Sequence, residues 1–304
     1  MVYQSVRLTT LTDNTTGESG LLAEHGLSIL VEVGGHRILL DTGATYTALH
    51  NARSLGIDLT SVEAIVLSHG HYDHTGGLKA VLREVASDGR EVPVIAHPDL
   101  WSARYSRRGD GRPTYAGIPF LREEMESMGA RFRLSRQPVE VVERVWTTGE
   151  VPLVTPFEQL DHRLVVRDGA DWRQDELADD LALIVSTEMG LVVVAGCAHR
   201  GIVNTVAQAR RVTGETRVYA VVGGTHLSFA PEAQVARTAK ALRESGVQRL
   251  GVSHCTGLPA AARLAHEFGD AFFFNSAGTS IELPVADGGS NEGCRTGDRA
   301  GHRS

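Results

Sequence analysis

Ser68-His69-Gly70-His71-Tyr72-Asp73-His74-Thr75-Gly76-Gly77 places His69, His71, Asp73 and His74 within six positions. Imidazole nitrogen and carboxylate oxygen together suit zinc, with iron or manganese as alternatives. Side chains at i, i+2 and i+4 share a strand face, and i and i+4 share a helix face. A donor at i+5 breaks both patterns, so the spacing predicts a loop wrapped around a metal. Gly70, Gly76 and Gly77 give that loop its backbone freedom. Four donors this close divide between two neighbouring ions, His69 and His71 on one, Asp73 and His74 on the other. The competing reading is a polar loop that is rich in histidine by chance.

The stretch matches the His-x-His-x-Asp-His signature and resembles the metallo-β-lactamase-fold hydrolases over residues 2–283. The resemblance implies a mixed α/β (α+β) fold, a four-layer αββα sandwich with two sheets face to face. The strand–helix rhythm alone also permits a single doubly wound sheet. It further implies one such domain over residues 1–285. Residues 98–135 are then an insertion that can cover the site, and 286–304 are a disordered tail.

Working outward, Val62-Glu63-Ala64-Ile65-Val66-Leu67 reads as the strand that delivers the metal loop, and 77–85 as a helix after it. Upstream, residues 27–33, Gly34-Gly35 and 36–40 give a hairpin signal that runs into Asp41-Thr42-Gly43. By the resemblance, Asp41 orients a ligand histidine or the motif backbone; read locally, it caps the helix expected over 44–55. His97 follows the strand 92–96 and is either a ligand or a hydrogen-bonded structural histidine. The basic, aromatic stretch with Trp101, Arg104, Tyr105, Arg107, Arg108 and Arg112 suits capture of an anionic substrate, or is a solvated loop.

Further on, residues 139–147 and 164–167 read as strands on the rim of the second sheet. The acidic run 168–180 reads as a solvated loop, with Asp180 close enough to a strand to reach the metal edge. Three apolar strands then end in chemistry-bearing residues: Gly196-Cys197-Ala198-His199, Gly223-Gly224-Thr225-His226-Leu227 and Ser253-His254-Cys255-Thr256-Gly257. In the family, the end of the first of these strands carries a metal ligand, often Asp, where Cys197 stands here. His199 is the preferred ligand, and Cys197 is the alternative as a thiolate or a small core residue. Gly-Cys-x-His and Gly-Gly-x-His-Leu resemble the dihydropteroate-synthase-like, ribofuranosylaminobenzene-phosphate-synthase-related branch. His226 is expected to bind or polarise substrate, or else to complete the metal shell. By the resemblance, His254 closes the second site with Asp73 and His74.

The chain has 304 residues, 42% hydrophobic and 22% charged, as in an ordinary soluble globular protein. Its net charge of −7 argues against a nucleic-acid partner. Three scattered cysteines do not form a disulfide framework, and no apolar run spans a membrane. With no signal-like N-terminus, a cytoplasmic location is expected. The implied activity is hydrolysis of a small anionic substrate, phosphate-bearing or pterin-like, by two divalent ions. Asp73 and His226 are the catalytic candidates, and His69, His71, Asp73, His74, His199 and His254 the ligands. The alternatives are an iron oxidoreductase of the persulfide-dioxygenase type, a synthase or transferase acting on a ribosyl phosphate, and a non-catalytic binding protein.

Overall fold

The computed structural model describes residues 5–283, apart from 108 and 110. The expected tail and Arg108 lie outside the described residues.

Strand β1 (Val6–Thr12), β2 (Ser28–Val33) and β3 (His36–Leu40) run antiparallel. Gly34 and Gly35, both at positive φ, close the β2–β3 turn as the hairpin reading requires. Helix α1 (Thr47–Ser54) leads to β4 (Ala64–Val66), parallel to β3. Then come α2 (Tyr72–Thr75), α3 (Leu78–Val85) and β5 (Val92–Ala96), parallel to β4. The chain continues through β6 (Arg104–Arg107), β7 (Pro113–Tyr115), α4 (Arg122–Ser127) and β8 (Ala130–Leu134). Next are β9 (Glu140–Val142), β10 (Val145–Thr147), β11 (Leu164–Asp168) and β12 (Asp171–Gln174). The second half holds β13 (Ala182–Thr187), β14 (Gly190–Ala195), α5 (Ile202–Thr213) and β15 (Val218–Gly224). It closes with α6 (Glu232–Glu244), β16 (Arg249–Ser253), α7 (Leu258–Phe268), β17 (Phe272–Phe274) and β18 (Ser280–Leu283).

Two sheets result, ordered β18-β1-β2-β3-β4-β5-β8 and β17-β16-β15-β14-β13-β10-β9, so the single doubly wound sheet is excluded. Their facing sides share one core that includes Leu8, Ile29, Leu40, Leu183, Val192 and Val194. The alternation within β14 shows why an all-apolar strand belongs here. Val192 and Val194 face the other sheet, while Leu191 and Val193 pack outward with Ile202, Val206 and Leu242 of the helices. On the far side, Leu78, Val81, Leu82 and Val85 of α3 fall at helical spacing and bury against the cluster that holds Leu39, Ile65 and Val94. Each such side chain contributes about 1.5–3 kcal/mol by leaving water. The layers are therefore helix, sheet, sheet, helix. No helix among the described residues is long and apolar enough to cross a membrane.

Three expectations are corrected. The 98–135 stretch is not one insertion: β8 extends the first sheet parallel to β5, and Met125 of α4 fills the outer core. Only β6 and β7 stand apart, in a third sheet ordered β12-β11-β6-β7. Residues 164–167 lie inside that sheet rather than on the rim of the second, because β11 pairs with β6 and β12. The acidic run is solvated only in its first part, where 168–171 are exposed. Asp175, Asp179 and Asp180 are buried, and Arg104, expected to meet substrate, is buried with them.

Arg104 donates Nε to Asp175 Oδ2 (2.8 Å) and Nη2 to Asp179 Oδ1 (2.7 Å). Asp179 Oδ2 in turn accepts the Gly70 amide at 2.7 Å, so this ion pair fastens the metal loop to the third sheet. Removing one partner leaves buried charge without compensation. Arg104→Met is expected to lower the unfolding free energy in urea by about 3–5 kcal/mol. A loss below about 1 kcal/mol, typical of exposed pairs, would contradict this account of the buried group.

Candidate metal centre

The site lies where β3, β4, β14, β15 and β16 end. Four residues just past those ends have left-handed backbone although none is glycine: Asp41 (φ 58°), Ala198 (52°), His226 (49°) and His254 (51°). Such conformations cost on the order of 1–3 kcal/mol each and cluster at functional sites. Here they turn the chain sharply and carry side chains onto one sheet edge. The metal stretch is not a loop throughout. His69 comes from a bend, His71 from extended backbone, and Asp73 and His74 from the single turn of α2.

Asp41 organises the interior of the site. Its Oδ1 accepts the Ser68 amide at 2.7 Å. Its Oδ2 accepts Ser68 Oγ and His74 Nδ1, both at 2.7 Å. Ser68 Oγ in turn accepts His69 Nδ1 at 2.9 Å. Of its two readings, Asp41 fulfils the orienting one, and α1 starts from Tyr46 instead. Gly196 packs over this network, where a Cβ would collide with Ser68 Oγ and stand 2.9 Å from Asp41 Oδ2. On the other side, His254 donates Nδ1 to Asn14 Oδ1 (2.8 Å) and its amide to Asp13 Oδ1 (2.6 Å). With Nδ1 engaged as donor, His69, His74 and His254 each turn Nε2 toward the centre.

The inward atoms form adjoining groups. His69, His71 and His199 are one; His25, Asp73 and His254 another; and His69, His74 and Cys197 a third between them. His69 and His199 bring Nε2 atoms to 3.1 Å, and His74 and His254 to 3.2 Å. Cys197 Sγ lies 3.1 Å from His74 Nε2. For His74 and His254, whose Nδ1 protons are committed elsewhere, two facing lone pairs at this distance repel unless a proton or cation lies between. His71 Nε2 is buried with no hydrogen-bond partner. The donor set therefore fits divalent cations. Cys197 and His199 share a group with His226, and each also joins another, His199 with His69 and His71 and Cys197 with His69 and His74, so both stand among the donors.

Protonation follows the same geometry. Burial pushes His69 and His199 well down and His71 to about 3, leaving neutral rings with free lone pairs. Burial also opposes charge on His74, but the Asp41 carboxylate outweighs it and holds this ring up to about 9. Burial alone would raise Asp73, yet hydrogen bonds from His25 and His254 hold it well below the usual carboxylate range.

The centre opens into a cavity of about 790 Å³, with His226 on its wall. The His226 ring lies 4.1 Å from that of His199, and its Nε2 is 3.6 Å from Asp161 Oδ2. Arg163 clamps Asp161 through Nε and Nη2 and lies over the Phe229 ring at 3.7 Å. Arg107 also lines the cavity. His97 lies elsewhere, hydrogen-bonded to Glu150 (3.0 Å) and the Asp99 amide (3.0 Å), which is its structural reading. Asp180 joins no donor group among the described residues; it accepts the Arg200 amide at 2.9 Å, and burial raises it to about 7.

Sequence reasoning missed His25, Asn14, Cys255 and the Asp161–Arg163 pair. His25 reaches Asp73 Oδ2 at 3.2 Å from a loop without periodicity, so no local pattern marks it. Asn14 and Asp13 follow β1 directly, the same strand-end signal that found His199 and His254.

Comparison with known proteins gives the lineage. The model of the metallo-beta-lactamase superfamily matches residues 22–165. The chain is 33% identical over 297 residues to 7,8-dihydropterin-6-methyl-4-(beta-D-ribofuranosyl)-aminobenzene-5'-phosphate synthase of Methanocaldococcus jannaschii, spanning 92% of this chain and 97% of that one. A crystal structure described as a metal-dependent hydrolase of the beta-lactamase superfamily superposes with a TM-score of 0.77 at 31% identity, covering 91% of this chain and 98% of the other. The metallo-beta-lactamase fold protein YhfI of Bacillus subtilis shares the fold at 11% identity, with a TM-score of 0.59 over 92% and 99% of the two chains. Relatedness that runs nearly end to end, over the same four layers, places this chain in the metallo-beta-lactamase superfamily.

Proposed function

We propose that the chain is a metal-dependent hydrolase that activates water against a small anionic substrate, phosphate-bearing or pterin-like. The observation that carries this reading is the meeting of two donor groups, His69, His71 and His199 beside His25, Asp73 and His254, with His74 Nε2 3.2 Å from His254 Nε2 between them and with His71, Asp73, His199 and His254 opening onto one cavity. Each group would hold one divalent ion, zinc first by its nitrogen and oxygen donors, with Cys197 as a further donor between them. When bound, such ions lower the pKa of water toward ~7 and draw charge from the scissile group.

The chain's own residues do the rest. Asp73 is fixed by His25 and His254 and orients the attacking water. His226 faces the cavity beside His199 and donates to the oxygen on which negative charge develops. Arg107 supplies a cationic group suited to a phosphate or carboxylate, and Tyr72 supplies ring surface for a flat substrate. A cytoplasmic site of action belongs to the same reading.

The synthase of Methanocaldococcus jannaschii favours a second reading, in which the same cavity joins a dihydropterin to a ribosylaminobenzene phosphate. Product analysis separates the two. Incubation with phosphodiester, lactone, thioester and phosphate-monoester substrates is expected to yield cleavage. No cleavage of these, together with a joined product when a dihydropterin and a ribosylaminobenzene phosphate are supplied instead, would replace hydrolysis by transfer.

Two variants test the assignment of parts. His71→Ala is expected to remove about one bound ion per chain and to lower kcat/KM at least about a hundredfold, ~2.7 kcal/mol of barrier; metal analysis and kinetics measure both. Activity near wild type would contradict the proposed mechanism. Arg107→Ala removes a charged hydrogen-bond donor worth about 1.5–3 kcal/mol, so KM for an anionic substrate is expected to rise about tenfold or more with kcat nearly constant. An unchanged KM would remove Arg107 from the anion site.

A further inference from the structure

We propose that Cys197 and Cys255 form a peroxide-oxidisable thiol pair that closes to an intramolecular disulfide at the metal centre. The strand order brings them near one another although they are 58 residues apart. Cys197 follows β14 and Cys255 follows β16, with β15 running between. Strands two places apart are separated by roughly 9.5 Å of backbone, which would normally keep such thiols from meeting. Gly224 ends β15 and opens the gap. A Cβ there would stand 2.7 Å from Cys255 Sγ and 3.2 Å from Cys197 Cα. The space a side chain would fill is the space the Cys255 thiol occupies.

Cys255 Sγ already lies 3.4 Å from the Cys197 carbonyl oxygen and accepts the His226 amide at 3.3 Å. The two sulfurs, with a nitrogen of His254, lie within 4.8 Å of one another. Both cysteines are free and both line the open cavity. Cys197 is fully packed, while Cys255 is half-buried. Cys255 sits in a single 3-10 turn, His254–Thr256, bounded by Gly257 at φ 72°. A short turn ending in glycine can shift to the S–S bonding distance of about 2.0 Å more easily than the packed end of a central strand.

The chemistry balances with a hydroperoxide as oxidant. The Cys255 sulfur attacks one peroxide oxygen, the O–O bond breaks, and a sulfenic acid and one water form. The Cys197 sulfur then attacks the Cys255 sulfur, the S–O bond breaks, and a second water leaves with the Cys197 proton. Two thiols and one hydrogen peroxide thus give one disulfide and two waters. The closed form withdraws Cys197 Sγ from the group it makes with His69 and His74.

Reduced full-length protein would be treated with hydrogen peroxide, alkylated, digested and mapped by mass spectrometry. The chain has three cysteines, so free thiols are expected to fall from three to one, with a Cys197–Cys255 linked peptide that dithiothreitol reverses. Cys294→Ala is expected to keep that linkage. In Cys255→Ser, loss of the Cys197 thiol is expected to slow at least about tenfold. Sulfinic or sulfonic Cys255 beside unmodified Cys197, or a linkage through Cys294, would overturn the proposal. Equally fast loss of Cys197 in Cys255→Ser would do the same. Should that variant fail to fold, the linkage map of Cys294→Ala decides.

Discussion

One buried carboxylate sets the geometry on which the centre depends. Asp41 takes three hydrogen bonds, from the Ser68 amide, the Ser68 hydroxyl and His74 Nδ1, with no exposure to solvent. An unpaired carboxylate in that position would be costly; with three donors it becomes an anchor. Through Ser68 it also fixes His69, so two imidazoles present Nε2 inward because one acid holds their other nitrogens outward. Its left-handed backbone, at the end of β3, is the strain accepted for placing the carboxylate beneath the loop.

Other fastenings hold the surrounding loops to the same standard. The acidic segment before β13 reaches two of them. Asp179 binds the Gly70 amide in the metal loop, and Asp180 binds the Arg200 amide just after His199. Asp13 and Asn14 hold His254 from the end of β1. Three ligand-bearing loops are thus tied by carboxyl or amide groups from distant segments, which gives a centre preorganised by the fold rather than by the ions it would bind. The third sheet is part of this scheme, since Arg104 of β6 neutralises the acids that hold Gly70.

Much of this was legible in the sequence because the signals were local. The six-position cluster around His69, the Gly34-Gly35 hairpin and the apolar strand ending in Cys197 and His199 each fit within a dozen residues. Helix α3 begins within one residue of its expected start and ends at its expected end, where the apolar spacing is regular. What escaped was non-local. Charge alone cannot separate a solvated acidic run from one neutralised by an arginine 71 positions earlier, as with Asp175 and Arg104. The third sheet pairs β11 with β6 across a long separation, and short strands of mixed polarity carry no mark of which sheet they join. His25 acts from a loop whose position is set only by tertiary contact.

The arrangement is a metal centre only if these side chains surround a pair of cations. Crystals grown with zinc, measured at the zinc absorption edge, test that most directly. Two anomalous peaks are predicted about 3.5–4 Å apart, one bonded to His69, His71 and His199, the other to Asp73, His74 and His254. Well-diffracting crystals with no peak among these residues, or with Asp73 and His254 turned away from one another and nothing bound between them, would contradict it.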